Sequence, residues 1–442
     1  MSPTTWILIS FVICILLMIV SISYWKVHPV TSILVASILL AIMIGTPWEK
    51  IEGTINKGMS DTLRSIAIVI VLGCIMGKIL EETGAAVRIT KSTVNLFGPK
   101  RVIWAIAAAS GLLGIPIFAD TVVILLIPIV SNLAVETKKS MVSYGTALYM
   151  GALVTASLIP PTPGPVAAAA LLNLPLGDAI LWGAVISIPS IIAATFYCTF
   201  LNEPLLPKDE YLKSAENIDN EKLPNIYVSL APILVPLVLI FMNTLFSVLY
   251  PKTPISNFFK FIGSPLAALL IGCLFALLLT GREWASKKVQ NTWVESALQS
   301  SAMPIMVTAM GGALAAFIKD AGIATVIAEG VAKANFPGIF IPIIIAALIH
   351  VVTGSNALGV MTAAALVEPM LPTLGISPLA AFLCCGTGAL MFKHANSSGF
   401  WVTVSMSNMD IRQGIKGVGV ASTVAGTTGA ILTVILYFAG LI

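Results

Sequence analysis

The chain has 442 residues, 57% of them hydrophobic and 10% charged, with a net charge of +4. Soluble domains carry about 25% charged residues, so this composition excludes one and points to a polytopic membrane protein. The charge is small and dispersed, which argues against a nucleic-acid partner. Cys14, Cys74, Cys198, Cys273, Cys384 and Cys385 lie in apolar segments without metal-ligand spacing and read as packing residues.

Trp6 to Tyr24 is long enough to cross a bilayer at roughly 20 residues per span. It is expected to be retained, because no basic residue precedes it and no small-residue cleavage site follows. Lys26 and His28 come after it, which places the N-terminus outside by the positive-inside rule. Val30 to Gly45 returns outward, residues 47 to 64 form a polar, mildly amphipathic connector with mixed charges, and Ser65 to Leu80 crosses inward. Arg88, Lys91, Lys100 and Arg101 mark the next loop as cytoplasmic. Val102 to Ala134 is interrupted at residues 114 to 121 and has basic residues at both ends. It reads as a re-entrant hairpin or as two short spans. Met141 to Leu172 crosses outward but is broken at Pro160-Pro-Thr-Pro-Gly-Pro165, where prolines remove amide donors. Ala179 to Phe200 comes back, and residues 202 to 225 form the only long polar segment.

The second half repeats this order. Ile226 to Leu249 and Leu266 to Leu279 answer the first two spans. A hairpin from Ile341 to Leu371 has a polar tip at Thr353-Gly-Ser-Asn356, and a second broken span is interrupted at Lys393-His-Ala-Asn-Ser-Ser-Gly399. An offset of 235 residues relates Gly151, Gly164 and Asn173 to Gly386, Gly399 and Asn408. An offset of 238 relates Gly73 and Gly84 to Gly311 and Gly322. Residues 85 to 101 are purely basic whereas 319 to 336 are balanced, and 408 to 417 are basic where 173 to 183 hold only Asp178. A charge bias that flips between halves is the mark of an inverted repeat. The predicted fold is therefore all-α and polytopic, with two inverted-topology repeats of about five spans, a re-entrant hairpin and a broken helix each. Its units are residues 1–201, a cytoplasmic linker at 202–225, and residues 226–442. Both termini are predicted to be extracytoplasmic.

Pseudo-twofold symmetry would bring the four interruptions together near the midplane. Half-helix N-termini there offer free amides and positive dipole ends, suited to a carboxylate. The expected substrate-binding residues are Thr121, Thr162, Gly164, Gly354, Ser355, Asn356, His394, Asn396, Ser397 and Ser398. Their bland alternative is interhelical packing and hydrogen bonding. Asp120 is the only acid in the first hairpin, and a carboxylate at that depth must be protonated, paired or wet. Asp120 and His394 are the expected proton-coupling groups. Lys78 lies near the boundary and reads as a snorkelling residue; for Lys393, snorkelling and counter-charge weigh equally.

Four stretches carry a resemblance: GCIMGKILEETGAA at 73 to 86, IFADTVVILLIPIV at 117 to 130, PPTPGPVAAA at 160 to 169, and HANSSGFW at 394 to 401. The chain resembles the gluconate permease (GntP-type) family of proton-coupled organic-acid symporters, within the ion-transporter superfamily, over nearly its whole length. The resemblance implies uptake of a gluconate-like sugar acid, or of D-serine, across a bacterial inner membrane. Two positions depart from the family pattern: Thr162 stands where His is usual, and Ser397 where an acid is usual.

The expected function is thus secondary active import of a small hydroxylated acid with H⁺, by alternating access and without any cofactor. Na⁺ coupling through the Ser and Asn tips is the first alternative. An enzyme is not expected, because His28, His350 and His394 are scattered and no zinc-helix motif is present. A passive channel fits broken inverted repeats less well, and no phosphate-binding loop suggests ATP drive. The expected partners are the organic anion and the bilayer, and a homodimer is compatible with this reading.

Overall fold

The computed structural model describes residues 3–216, 223–250, 253–322, 337–395 and 397–442. Asn396 and residues 323–336 lie outside this set. Every regular element among the described residues is helical. The first half contains α1 (Pro3–Ser23), α2 (Pro29–Met43), α3 (Trp48–Glu82), α4 (Ala85–Phe97), α5 (Val102–Leu113), α6 (Ala119–Thr137), α7 (Met141–Leu158), α8 (Pro163–Leu171) and α9 (Leu176–Cys198). A short helix, α10 (Asp209–Glu216), lies in the polar segment. The second half contains α11 (Ile226–Leu249), α12 (Pro254–Ile262), α13 (Pro265–Leu278), α14 (Lys288–Asp320), α15 (Phe340–Thr353), α16 (Asn356–Val367), α17 (Pro378–Gly388), α18 (Ser398–Met406) and α19 (Ile411–Phe438).

Seven described helices are long and apolar enough to cross a membrane, or ten if each bent pair is one span. The connector expected at 47 to 64 is itself helical. It runs on through the following span as the 35-residue α3, which bends by 45° between Arg64 and Ala67. Its polar side chains do not interrupt the backbone because no proline follows Pro47 within it.

The four interruptions fall where proline, glycine and polar residues cluster. α5 ends at Leu113 and α6 begins at Ala119. α7 ends at Leu158, and a Thr-Pro-Gly-Pro turn starts α8 at Pro163, the first-turn position where a missing amide costs nothing. Gly354, at φ +71°, ends α15 and lets the chain turn into α16. α17 ends at Gly388, and turns at residues 389 to 392, with Phe392 left-handed, carry the chain towards α18 at Ser398. Left-handed residues recur at matched positions of the two halves: Gly84 and Gly322, Lys138 and Gly375, Asn173 and Asn408.

The core lies around α7, whose span is 94% buried within the protein. Lipid tails are as apolar as leucine, so helices associate in membranes through close packing of small residues. At Gly151 a Cβ would lie 2.2 Å from the Ala107 carbonyl oxygen, so α5 and α7 touch through backbone. The polar segment straps onto this body: Lys416 pairs with Glu203, and Met141 donates its amide to the Leu205 carbonyl at 3.0 Å.

Candidate functional site

Each broken helix leaves carbonyls without partners at its C-terminal end and amides at its N-terminal end. In a membrane these must be satisfied internally or by water or ligand. The carbonyl ends are sealed by side chains. Thr162 donates its hydroxyl to the carbonyls of Ile159 at 2.8 Å and Ala156 at 3.0 Å, closing the end of α7. Asn356 Nδ2 donates to the Ala389 carbonyl at 2.7 Å, beyond α17, and the Trp401 indole to Ala395 at 2.7 Å. His350 Nδ1 meets the Met391 carbonyl at 2.8 Å, and His394 Nε2 meets that of Val351 at 2.9 Å. A carbonyl only accepts, so both rings donate there.

The amide ends converge instead. A cavity of 340 Å³ is bounded by the starts of α6 (Phe118–Thr121), α8 (Thr162–Gly164), α16 (Gly354–Ala357) and α18 (Ser397–Gly399). Each helix N-terminus carries roughly half a positive charge. The side chains add one acid, Asp120, and one base, Lys393, to the lining. Their formal charges cancel, and the four helix ends leave the cavity positive.

Lys393 is only 4% exposed. Its Nζ donates to Asn356 Oδ1 and lies 5.7 Å from the centre of the Tyr149 ring, a cation–π distance. Asn356 therefore ties the tip between α15 and α16 to the second break through both ends of its amide. Asp120, in the first turn of α6, accepts the Ser398 hydroxyl at 2.9 Å. At Gly399 a Cβ would stand 2.0 Å from the Tyr149 hydroxyl and 2.5 Å from Asp120 Oδ1, so only glycine fits between them. Gly164 brings α8 against α16: its Cβ would meet the Ala357 Cα at 3.3 Å.

The cavity thus gathers Asp120, Thr121, Thr162, Gly164, Gly354, Ser355, Asn356, Ser397 and Ser398 of the residues expected from sequence. The proton of Thr162 is committed to the backbone, so its oxygen faces the cavity as an acceptor. Ser355 accepts the Leu358 amide at 3.3 Å, and its own proton has no acceptor among the described residues. His394 is not among the lining residues; its bond to Val351 turns the ring to a helix end. Asn396 lies outside the described residues. Reasoning from sequence missed Tyr149 and Ser157, which carry no signal within a nearly uniform apolar run, and left Lys393 undecided. The break one residue before His394 was the available clue to Lys393.

Converging helix ends around a buried polar cavity, in a multi-pass body helical throughout its described elements, are the arrangement of a membrane transport protein. The sequence model of the GntP family permease matches residues 6–439, so the chain belongs to that family. It is similar to the high-affinity gluconate transporter of Escherichia coli (28% identity, 97% of this chain and 98% of that one). It is also similar to the low-affinity gluconate transporter of the same organism (30%, 93% and 94%). The gluconate permease of Pseudomonas aeruginosa is 29% identical over 99% of this chain and 98% of its own. The crystal structure of the Alcanivorax borkumensis YdaH transporter shares the fold, with a TM-score of 0.57 at 17% identity over 100% and 99% of the two chains.

Proposed function

We propose that this permease imports a gluconate-like hydroxylated acid with H⁺ across a bacterial inner membrane, and that the 340 Å³ cavity holds the substrate. The observation that carries the reading is the meeting of four helix N-termini around Lys393, with hydroxyls of Tyr149, Ser355, Ser397 and Ser398 alongside. A carboxylate would take the amides and Lys393, while substrate hydroxyls would exchange hydrogen bonds with the serines and Tyr149. The volume sits at the low end of small-ligand pockets. Relatives named gluconate transporters support the substrate class.

Asp120 is the proton carrier in this reading. It is the one acid in the lining, and its partner Ser398 belongs to the opposite break. Protonation of Asp120 would leave Lys393 and the helix ends facing the substrate anion without a competing charge. The matched offsets and left-handed positions support two inverted repeats whose broken elements rock against the rest as alternating access requires. The test is uptake of labelled gluconate into proteoliposomes. An inward proton gradient should drive accumulation without Na⁺, and unlabelled sugar acids should compete. Strict dependence on Na⁺, or no uptake of any hydroxy acid, would overturn the reading.

A further inference from the structure

A groove of 700 Å³ opens on the outer face of the protein between α5 and α9, apart from the central cavity. Ala108 and Leu112 form one wall, Ile188 and Ile192 the other, and Ile115 and Ile159 close its deep end. Ile188 and Ile192 are 61% and 51% exposed, so this wall faces the surroundings. In a membrane protein those surroundings are lipid. From Arg101 to Leu112 the helix rises about 16 Å at 1.5 Å per residue. One leaflet of hydrocarbon is about 15 Å deep, half of a bilayer core. The groove therefore has the length of a single acyl chain.

Its upper end has the opposite character. Arg101 and Trp104 line the mouth, and Trp104 also borders a second cavity of 460 Å³. That cavity holds Lys100, Lys139, Tyr144 and Asn202, with Glu136 as its one acid. Thr199 in it lies one helical turn beyond Thr195 of the groove, so the two are continuous along α9. Among the described residues Lys100, Arg101 and Lys139 take part in no ion pair. Among the described residues the buried Thr195 hydroxyl, at the junction, has no hydrogen-bond partner; on the same helix the Ser187 hydroxyl also has none, whereas Ser190 bonds back to Ile186. Burying a hydroxyl without a partner is unfavourable, and of the unpartnered buried hydroxyls Thr195 is the one that lines the groove, where a ligand acceptor would satisfy it.

We propose that this composite groove is a binding site for one anionic phospholipid. The acyl chain lies between α5 and α9, the ester carbonyl meets Thr195, and the phosphate sits among Arg101, Lys100 and Lys139. Trp104 takes the interfacial position that suits its amphipathic ring. The cluster of unpaired cations selects an anionic headgroup over a zwitterionic one. The chain-length depth selects lipid over a free phosphate, and a flat second protein surface would not fill it.

The test uses the full chain purified in detergent, with phosphatidylglycerol and phosphatidylcholine of identical acyl chains, read by native mass spectrometry and thermal shift. Each cation near the headgroup is worth about fivefold in affinity, so the wild type should prefer phosphatidylglycerol at least fivefold and gain nothing from glycerol phosphate alone. The Arg101→Gln/Lys139→Gln double variant, which keeps only Lys100, should lose most of the preference yet keep binding chains. Ala108→Trp, which fills the groove from an exposed position, should lose both lipids. Equal binding of the two lipids by the wild type would overturn the proposal, as would a preference undiminished in the double variant. So would an Ala108→Trp variant that dissociates a dimer while lipid binding stays intact. The double variant changes only exposed side chains, so its lipid preference decides the matter even where the tryptophan disturbs folding.

Discussion

Lys393→Met is the sharpest perturbation of the proposed site, because it removes a charge while nearly preserving length. In the wild type the ammonium is 4% exposed, bonded to Asn356 Oδ1, and held over the Tyr149 ring. Two effects on stability oppose one another. Loss of the donor leaves Asn356 Oδ1 unpaired, at about 1–3 kcal/mol for a buried group. Against this, the desolvation of a buried ion, several kcal/mol by itself, is no longer incurred. The variant should therefore fold and insert. Binding has no such compensation: one hydrogen bond to a charged ligand contributes about 1.5–3 kcal/mol, or roughly ten- to a hundredfold in Kd. Isothermal titration of gluconate into monodisperse protein measures this directly. Lys393→Arg should fall between the two, since it keeps the charge but not the compact geometry. A folded Lys393→Met protein that binds within about twofold of wild type would refute the assignment of Lys393 as the carboxylate partner.

Asp120→Asn should abolish accumulation under a proton gradient while leaving exchange of internal for external substrate partly intact; undiminished accumulation in proteoliposomes would remove Asp120 from coupling. Gly399→Ala should lower thermal stability by about 1–3 kcal/mol through overpacking, because the new methyl meets Tyr149 and Asp120 at 2.0 and 2.5 Å. Adding Tyr149→Phe should recover part of that loss, and additivity of the two would contradict the contact. For the inverted repeat, an impermeant thiol reagent added outside should label Asn173→Cys but not Arg412→Cys, both exposed positions. The native cysteines give little background, being buried apart from the half-buried Cys74. Equal labelling would exclude the inverted arrangement.

The amino-acid sequence by itself determined the helical spans and the four places where they break. Both are local: apolar length dictates a span in a bilayer, and clustered proline, glycine and polar residues cannot continue a helix. The family and the list of tip residues followed from those breaks. The connector before the third span was legible as polar and mildly amphipathic, and it forms the first part of the helix α3. What the tertiary structure alone decided is which groups at the breaks face one another. Ser398 meets Asp120 across 278 positions of chain, and Lys393 meets Asn356 across 37. No periodicity records such pairings, because they depend on how helices of nearly identical hydrophobicity pack through small residues. The same packing turned His394 onto the Val351 carbonyl and buried Tyr149 beside the second break. The side-chain seals on the carbonyl ends and the convergence of four helix N-termini on one cavity are thus a property of the assembled bundle, and it is that convergence that leaves the cavity positive.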